Sequence, residues 1–127
     1  MKEQTIFKNI NDFENKSLLI VDDDNPFRER LARAMEKKGF KVFQAESVKK
    51  GVQSVKEKKL GFAVIDLRLG DGNGLEVVKQ IQSTNNESRI IMLTGYGNIP
   101  TAVAAIKEGA IDYLAKPTGE LPDPSMI

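Results

Sequence analysis

Short apolar runs alternate with segments of helical periodicity along most of this chain. Five of the runs are typical of strands buried in a parallel sheet, because they are short, mostly apolar and bounded by polar residues or glycine. They comprise residues 17–21, 40–45, 60–66, 89–94 and 110–115. Strands that alternate with helices predict an α/β fold, in which right-handed crossovers join the strands of a parallel sheet.

Four segments between these strands carry apolar residues at helical spacing. The first follows Asn25 and Pro26, a capping residue and a proline suited to the first helical position, and Gly39 suits a left-handed C-cap. Ser47 is placed to cap the second helix. The apolar faces of the four helices lie within residues 27–35, 48–55, 75–81 and 102–106.

The two ends of the chain differ from this pattern. Residues 1–16 are polar with scattered apolar positions, and we expect an N-terminal arm there. Residues 17–117 form the predicted folded domain. Residues 118–127 contain Pro122 and Pro124, which oppose a regular helix, and they predict a linker-like tail.

Composition narrows the possible chemistry. The 127 residues include neither cysteine nor histidine, which excludes disulfides, thiolate chemistry, imidazole metal ligation and Ser-His catalysis by these residues. A net charge of +1 gives no general reason to expect a nucleic acid or a membrane surface as partner. No apolar stretch approaches the ~20 residues that cross a bilayer, and no signal-peptide core is visible. We therefore expect a cytoplasmic protein.

Acidic residues follow two of the predicted strands. Asp22 and Asp23 come directly after the first strand, and Asp66 ends the third. In an open parallel sheet, ligands bind beyond the carboxyl ends of the strands, where the strand order reverses. Carboxylates that meet there repel one another unless a cation joins them, and clustered oxygen ligands suit Mg²⁺. The pattern predicts a magnesium site that handles phosphoryl groups.

Within this site Asp66 is the predicted nucleophile, since a carboxylate can form an acyl phosphate. Asp23 and Asp66 would hold the metal, with Asp22 acting directly or through water. The backbone carbonyl of Arg68, two residues past the nucleophile, is a plausible additional ligand.

Three further strand-end positions complete the predicted site. Lys116 would place a positive charge on a phosphoryl oxygen, Thr94 would donate a hydroxyl, and Gly95 leaves room for a phosphate. A single aspartate at a strand end is more often a cap or turn former, and we give Asp24 a capping or surface role. The ordered set of strand-end positions is what favours a site.

The motifs LLIVDDD, VIDLRLGDGNG, IIMLTGYG and DYLAKP occur in this order across the predicted domain. The chain therefore resembles the receiver domain of two-component response regulators, over residues 17–117. The resemblance implies a flavodoxin-like (CheY-like), doubly wound sheet of five parallel strands with the order 2-1-3-4-5.

The same resemblance implies roles for individual residues. Asp66 would be the phosphoacceptor, phosphorylated by a sensor histidine kinase with Mg²⁺, and Asp22 and Asp23 would form the acidic pair. Thr94 and Tyr113 would be the switch pair. Phosphorylation would then change the conformation and so control transcription. We expect no enzymatic activity beyond self-phosphorylation and dephosphorylation.

The stretches PFRERLARAMEKKGF and LTGYGNIPTAVAAIKEGAIDYLAKP are similar to the redox-responsive RegA/PrrA/ActR type of receiver, whose members carry a C-terminal helix-turn-helix. We expect no direct binding of nucleic acid or membrane by this segment. Receivers usually have a fifth helix after the Lys-Pro loop, but residues 118–127 show no helical apolar stripe. We expect this helix to be missing, which would expose apolar surface and favour a homodimer or a domain-swapped assembly.

Two other functions remain open at this point. One is a docking module that keeps the receiver fold and works without phosphorylation. The other is a magnesium-dependent phosphohydrolase of the haloacid dehalogenase kind, because residues 22–24 contain an Asp-x-Asp after an apolar strand. The second function would make Asp22 the nucleophile and would leave Asp66 unexplained.

Overall fold

Five parallel strands form one sheet at the centre of the computed structural model, which describes residues 15–85, 87–95, 107 and 112–116. The elements in chain order are β1 (Ser17–Val21), α1 (Asn25–Lys37), β2 (Lys41–Ala45), α2 (Val48–Glu57), β3 (Phe62–Asp66), β4 (Arg68–Leu69), β5 (Gly72–Asn73), α3 (Leu75–Thr84), β6 (Arg89–Thr94) and β7 (Asp112–Ala115).

The sheet has the order β2-β1-β3-β6-β7, and each neighbouring pair is parallel. When the short strands β4 and β5 are set aside, this is the order 2-1-3-4-5, so the predicted fold is confirmed. The register aligns Val21 with Ala45 on one side and with Ile65 on the other. The carboxyl ends of β1, β2 and β3 therefore lie side by side.

Side chains that alternate along β1 supply two separate apolar layers. Leu19 and Val21 face the layer covered by α2 and α3, whereas Leu18 and Ile20 face α1. All four are buried, and burying a side chain of this size contributes about 1.5–3 kcal/mol. A strand that is apolar on both faces is what a sheet with helices on both sides requires.

The start of α1 differs from the prediction by one residue. Asp24, not Asn25, is the N-cap: its backbone is extended, and its Oδ1 accepts a hydrogen bond from the N–H of Phe27 at 3.1 Å. Asn25 is already helical and accepts instead from Arg28. The predicted capping role of Asp24 is thus confirmed, whereas Asn25 as the cap was wrong.

The other two predicted helix boundaries are confirmed. Gly39, with a φ of 105°, follows α1 in the left-handed region, and the Ser47 hydroxyl accepts from the N–H of Lys50 at the start of α2.

Two strands begin later than the apolar pattern predicted. β2 begins at Lys41, because the N–H of Phe40 donates to the Met35 carbonyl in the turn that ends α1. β3 begins at Phe62, because the carbonyl of Leu60 accepts side-chain hydrogen bonds from Asn85 and Ser88. Phe40 and Leu60 are both apolar, but these backbone groups form hydrogen bonds outside the sheet.

Several predictions concern residues outside the described ranges. These are the N-terminal arm up to residue 14, the linker-like tail at 118–127 with the missing fifth helix, and the fourth predicted helix apart from Lys107, which is helical. Leu114 of β7 is a large apolar residue that is 53% exposed. Within the described residues, no helix has the length and apolar character needed to cross a membrane.

The packing of α3 on the sheet gives a first prediction. Ile81 is 1% exposed and belongs to the larger apolar layer. We expect Ile81→Ala to lower the free energy of unfolding by about 2–5 kcal/mol, because it leaves a cavity. Lys79→Ala, an exposed position on the same helix, is the matched control and is expected to stay within about 0.5 kcal/mol of wild type. Urea denaturation compares them, and equal losses would contradict this account of the core.

Candidate metal centre

Three carboxylates meet at the carboxyl end of the sheet. Asp22 and Asp23 follow β1 and Asp66 ends the adjacent β3, so the parallel register brings them to the same edge. One carboxylate oxygen from each residue lies within 4.8 Å of the others. Donor atoms at this spacing repel one another in water and would be joined by a shared cation.

Asp22 is fully buried and only partly satisfied. Its Oδ1 accepts hydrogen bonds from Lys116 Nζ and from the backbone N–H of Asp24, each at 2.9 Å. Its Oδ2 is buried and has no hydrogen-bond partner within the described part of the chain. A buried oxygen without a partner is costly, so this atom fits a role as ligand or as acceptor from a cation-bound water.

Asp66 is 7% exposed and accepts two contacts. Lys116 Nζ lies 3.3 Å from Oδ2, and the backbone N–H of Arg68 donates to Oδ1, also at 3.3 Å. Burial and the neighbouring charge of Asp22 raise the pKa of Asp66 to about 6, against the smaller opposing effects of Lys116 and Arg68. The carboxylate is still largely ionised at pH 7, although burial and the charge of Asp22 disfavour its ionised form.

Lys116 is the cation that links the two buried carboxylates. Burial works against its charge, but the hydrogen bond to Asp22 and the attraction of Asp66 raise its pKa above the usual value. Its Nζ also lies 5.1 Å from the centroid of the Phe27 ring, within reach of a cation–π contact. From the sequence, Phe27 was assigned only to the apolar face of α1. Its position next to the acidic run is the signal that could have linked it to the site.

A buried arginine holds the turn that carries the acidic pair. Arg28 Nη1 donates to the Asp22 carbonyl at 2.8 Å and to Asn25 Oδ1, and its Nε donates to Gln44 Oε1 at 2.9 Å. The side chain thus joins the end of β1, the start of α1 and β2. Nothing in the sequence distinguishes Arg28 from the other arginines of this helix, and so it was missed.

Thr94 is linked to the site by a hydrogen bond of its backbone, not of its side chain. Its carbonyl accepts the N–H of Lys116 at 2.7 Å, while its buried hydroxyl donates to the Gly95 carbonyl at 3.2 Å. A Cβ built on Gly95 would have no neighbour within 4 Å, so there is open space here. No contact in the described residues joins the Thr94 hydroxyl to a carboxylate. The side chain of Tyr113 lies outside the described residues.

The glycines between Asp66 and α3 have different roles. Glycine permits positive φ at Gly70, Gly72 and Gly74 alike, but among the described residues of this loop only Gly72 has it, at 156°. Gly74 is instead required by close packing, because a Cβ there would lie 2.2 Å from the Asp66 carbonyl oxygen. The loop also contains the unpredicted hairpin β4–β5.

These donor atoms fit a hard divalent cation. All are oxygens, they are close together, and one of them is buried without a partner. Hard cations such as Mg²⁺ and Ca²⁺ are bound by oxygen ligands of this kind. Asp23 is exposed, which leaves one side of the cluster open to solvent. The acidic cluster is therefore able to bind a metal ion.

Comparison with known proteins agrees with this geometry. The family model described as the response regulator receiver domain matches residues 18–122. The chain belongs to the response regulator receiver family. The acid tolerance regulatory protein ActR of Sinorhizobium medicae is 60% identical over 103 residues, which cover 81% of this chain and 53% of that protein. The photosynthetic apparatus regulatory protein RegA of Rhodobacter capsulatus is 59% identical, with 81% and 56% covered. The predicted resemblance to this receiver type is confirmed, and the chain spans about half the length of these relatives.

Solved structures show the same fold. A response regulator from Burkholderia pseudomallei, with a phosphorylated aspartic acid, a calcium ion and citrate, has a TM-score of 0.76 at 38% identity, covering 83% of this chain and 62% of that one. A CheY-like receiver domain from Methanospirillum hungatei also has a TM-score of 0.76, at 27% identity, covering 84% and 85%.

The raised pKa of Asp66 predicts how stability depends on pH without a divalent cation. An unfolded aspartate titrates near 3.8 and the folded one near 6, so stability that is present below pH 3.8 is lost as pH rises to about 6. Asp66→Asn removes this loss. We expect it to raise the free energy of unfolding at pH 7, in chelator, by roughly 1–3 kcal/mol, and to have no such effect at pH 3.5.

With a divalent cation at pH 7, we expect wild type to have the higher free energy of unfolding and Asp66→Asn the lower, because the ion stabilises only a folded state that can bind it. Urea denaturation of both proteins at the two pH values, with chelator and with excess Mg²⁺, checks this. A variant that is less stable than wild type in chelator at pH 7 would contradict the charge account.

Proposed function

We propose that this chain is a phosphorylation-controlled signalling switch that accepts a phosphoryl group on Asp66 from the phosphohistidine of a sensor histidine kinase. The observation that carries the proposal is the placement of Asp66 between Lys116 and two further carboxylates at one edge of the sheet. The phosphorylated aspartic acid in the Burkholderia relative supports it. Residues 17–117 would be the receiver domain, with 1–16 an arm and 118–127 a linker.

The proposed transfer needs no proton to be taken from the nucleophile, because Asp66 is largely ionised at pH 7. A carboxylate oxygen of Asp66 forms a bond to phosphorus while the phosphorus–nitrogen bond of the donor breaks, and the electron pair stays on the imidazole. The product is an acyl phosphate. Lys116, already beside Asp66, offsets the charge on the phosphoryl oxygens, so the site acts by positioning and neutralisation.

Mg²⁺ is the cation we propose for the acidic cluster. Asp23 and Asp66 would hold it, with Asp22 acting directly or through water and the Arg68 carbonyl as a further ligand. When bound, the ion supplies positive charge to the carboxylates and to the incoming phosphoryl oxygens. Asp22 is the member that Lys116 and the Asp24 N–H hold in place, and its unpartnered oxygen supports a contact with the ion or its water.

The proposed switch starts from added charge. A phosphoryl group brings about −1.5 to −2 charges and new acceptor oxygens. Thr94 would give up its hydrogen bond to the Gly95 carbonyl and turn toward them, and Tyr113 would move into the vacated space. The added charge would favour one of two conformations of the surface around these residues. In the whole protein, this change of conformation would control transcription. A sensor histidine kinase would be the upstream partner, and the location would be cytoplasmic. The protein would self-associate as a homodimer or a domain-swapped assembly.

The geometry favours Asp66 over Asp22 as the nucleophile. Asp22 is completely buried, and both its carboxylate and its carbonyl are held, by Lys116 and Arg28 respectively. Asp66 retains some exposure beside the open side of the cluster. A phosphohydrolase that used Asp22 would have to expose a group that these contacts keep in the interior.

Intact mass spectrometry after incubation with acetyl phosphate and Mg²⁺ tests the proposal. We expect a gain of one phosphoryl group, because acetyl phosphate can also donate a phosphoryl group to a carboxylate: its phosphorus–oxygen bond breaks and acetate leaves, where the kinase would release imidazole. The gain should be absent in Asp66→Asn and absent in chelator. The matched control is Asp24→Asn, which changes a capping carboxylate outside the cluster and should leave the gain intact.

Two results would sink the proposal. A gain that persists in Asp66→Asn but disappears in Asp22→Asn would indicate the phosphohydrolase chemistry. No gain in wild-type protein that circular dichroism shows to be folded would indicate a docking module that works without phosphorylation.

A further inference from the structure

The loop that joins Asp66 to α3 is attached to a second helix by one side chain. Asp71 Oδ1 accepts a hydrogen bond from the N–H of Val48 at 2.8 Å, and its Oδ2 accepts from the N–H of Lys49 at 3.1 Å. Val48 and Lys49 are the first two residues of α2, whose early N–H groups have no partner within the helix. Ser47 satisfies a third N–H, that of Lys50. Asp71 therefore completes the cap of α2 from outside the helix.

The same loop contacts the acidic cluster on its other side. The N–H of Arg68 donates to Asp66, and a Cβ built on Gly70 would lie 3.8 Å from Asp23 Oδ2. Gly70 and Asp71 form the turn between β4 and β5, since Leu69 pairs with Gly72. One residue of this turn thus lies beside a predicted metal ligand, and the next is bound to α2.

Besides Asp71, the hairpin is held at its base by Leu69, which is buried in the larger apolar layer. The hairpin pairs only two residues on each strand, and a two-stranded hairpin is at best marginally stable in water. Three of the residues between Asp66 and α3 are glycines, which lose more conformational freedom on ordering than any other residue. Without the hydrogen bonds of Asp71, the β4–β5 turn would sample more conformations, and fewer of them would keep Gly70 and the Arg68 backbone at the cluster.

We propose that Asp71 is a positioning residue of the cation site: by holding the β4–β5 turn against α2, it keeps Arg68 and Gly70 at the acidic cluster in the arrangement that binds Mg²⁺. This inference rests on the proposed function, because it takes the cluster to be a magnesium site. Asp71 itself touches neither the ion nor the phosphoryl group.

A coupling of this kind acts in both directions. If the anchored loop favours the ion, the bound ion must favour the anchored loop. Mg²⁺ should therefore slow hydrogen exchange at the N–H groups of Val48 and Lys49, which lie on a helix that supplies no predicted ligand. The slowing should depend on Asp71.

Four variants of the full chain separate positioning from simpler effects. Asp71→Ala removes both hydrogen bonds, and Asp71→Asn keeps one acceptor. Ser47→Ala removes the other side-chain cap of α2 and leaves the loop intact. Glu76→Gln removes one negative charge from the same groove between α2 and α3, which Asp71 also lines.

Magnesium affinity is measured by calorimetry at a temperature where circular dichroism shows each variant to be folded. We expect the dissociation constant to rise about tenfold in Asp71→Ala, the lower range for outer residues that orient a metal site, and by less in Asp71→Asn. Ser47→Ala and Glu76→Gln should stay within about twofold of wild type. Exchange at Val48 and Lys49 should slow with Mg²⁺ in wild type but not in Asp71→Ala.

Several outcomes would overturn the assignment. Equal losses of magnesium affinity in Asp71→Ala and Ser47→Ala would show that Asp71 acts only as a cap of α2. Equal losses of affinity in Asp71→Asn and Glu76→Gln would show that it acts only through its negative charge. Unchanged affinity in Asp71→Ala would remove the role altogether. Wild-type protein that neither binds Mg²⁺ nor accepts a phosphoryl group would overturn the proposed function itself, and the role of Asp71 with it.

Discussion

Electrostatic repulsion at the carboxyl edge of the sheet is the constraint on which the rest of the site depends. Three carboxylates have oxygen atoms within 4.8 Å of one another, and among the residues that the structure describes Lys116 is the lysine that contacts two of them. Burial and the neighbouring charge of Asp22 together raise the pKa of Asp66 more than Lys116 lowers it. The site therefore still has an excess of negative charge, and a bound cation would stabilise it further. That combination suits a metal-dependent phosphoacceptor.

The surrounding fold holds this repulsive cluster together. Strands β1 and β3 are apolar on both faces and are covered by helices on both sides, so their ends have little freedom to separate. Arg28 fixes the turn after β1 from one side, and Gly74 lets α3 approach the Asp66 backbone from the other. Packing energy spread over the sheet thus offsets a local cost at its edge.

Much of this arrangement could be predicted from the sequence, because it follows from local pattern. Apolar runs, helical spacing and strand-end carboxylates are short-range signals, and they led to the parallel α/β architecture and to the clustering of Asp22, Asp23 and Asp66. The sheet order was implied by the resemblance to receiver domains. The contacts of Arg28 with Gln44 and of Asp71 with Val48 join residues 16 and 23 positions apart, and no local pattern encodes them. The cap of α1 was misplaced by one residue for a related reason: Asp24 and Asn25 both suit the position, and only the backbone conformation decides between them.

The ion pair between Lys116 and Asp22 closes a loop of 94 residues, from the end of the first strand to the end of the last. Contacts of such long range form late in folding, because the chain entropy lost in closing the loop must first be offset by the rest of the sheet. During synthesis, Asp22, Asp23 and Asp66 leave the ribosome before Lys116 does. The nascent chain therefore carries Asp66, the proposed phosphoacceptor, without its counter-charge until β7 docks at the edge of the sheet. In the proposed switch, the last step of folding is also the step that completes the signalling site.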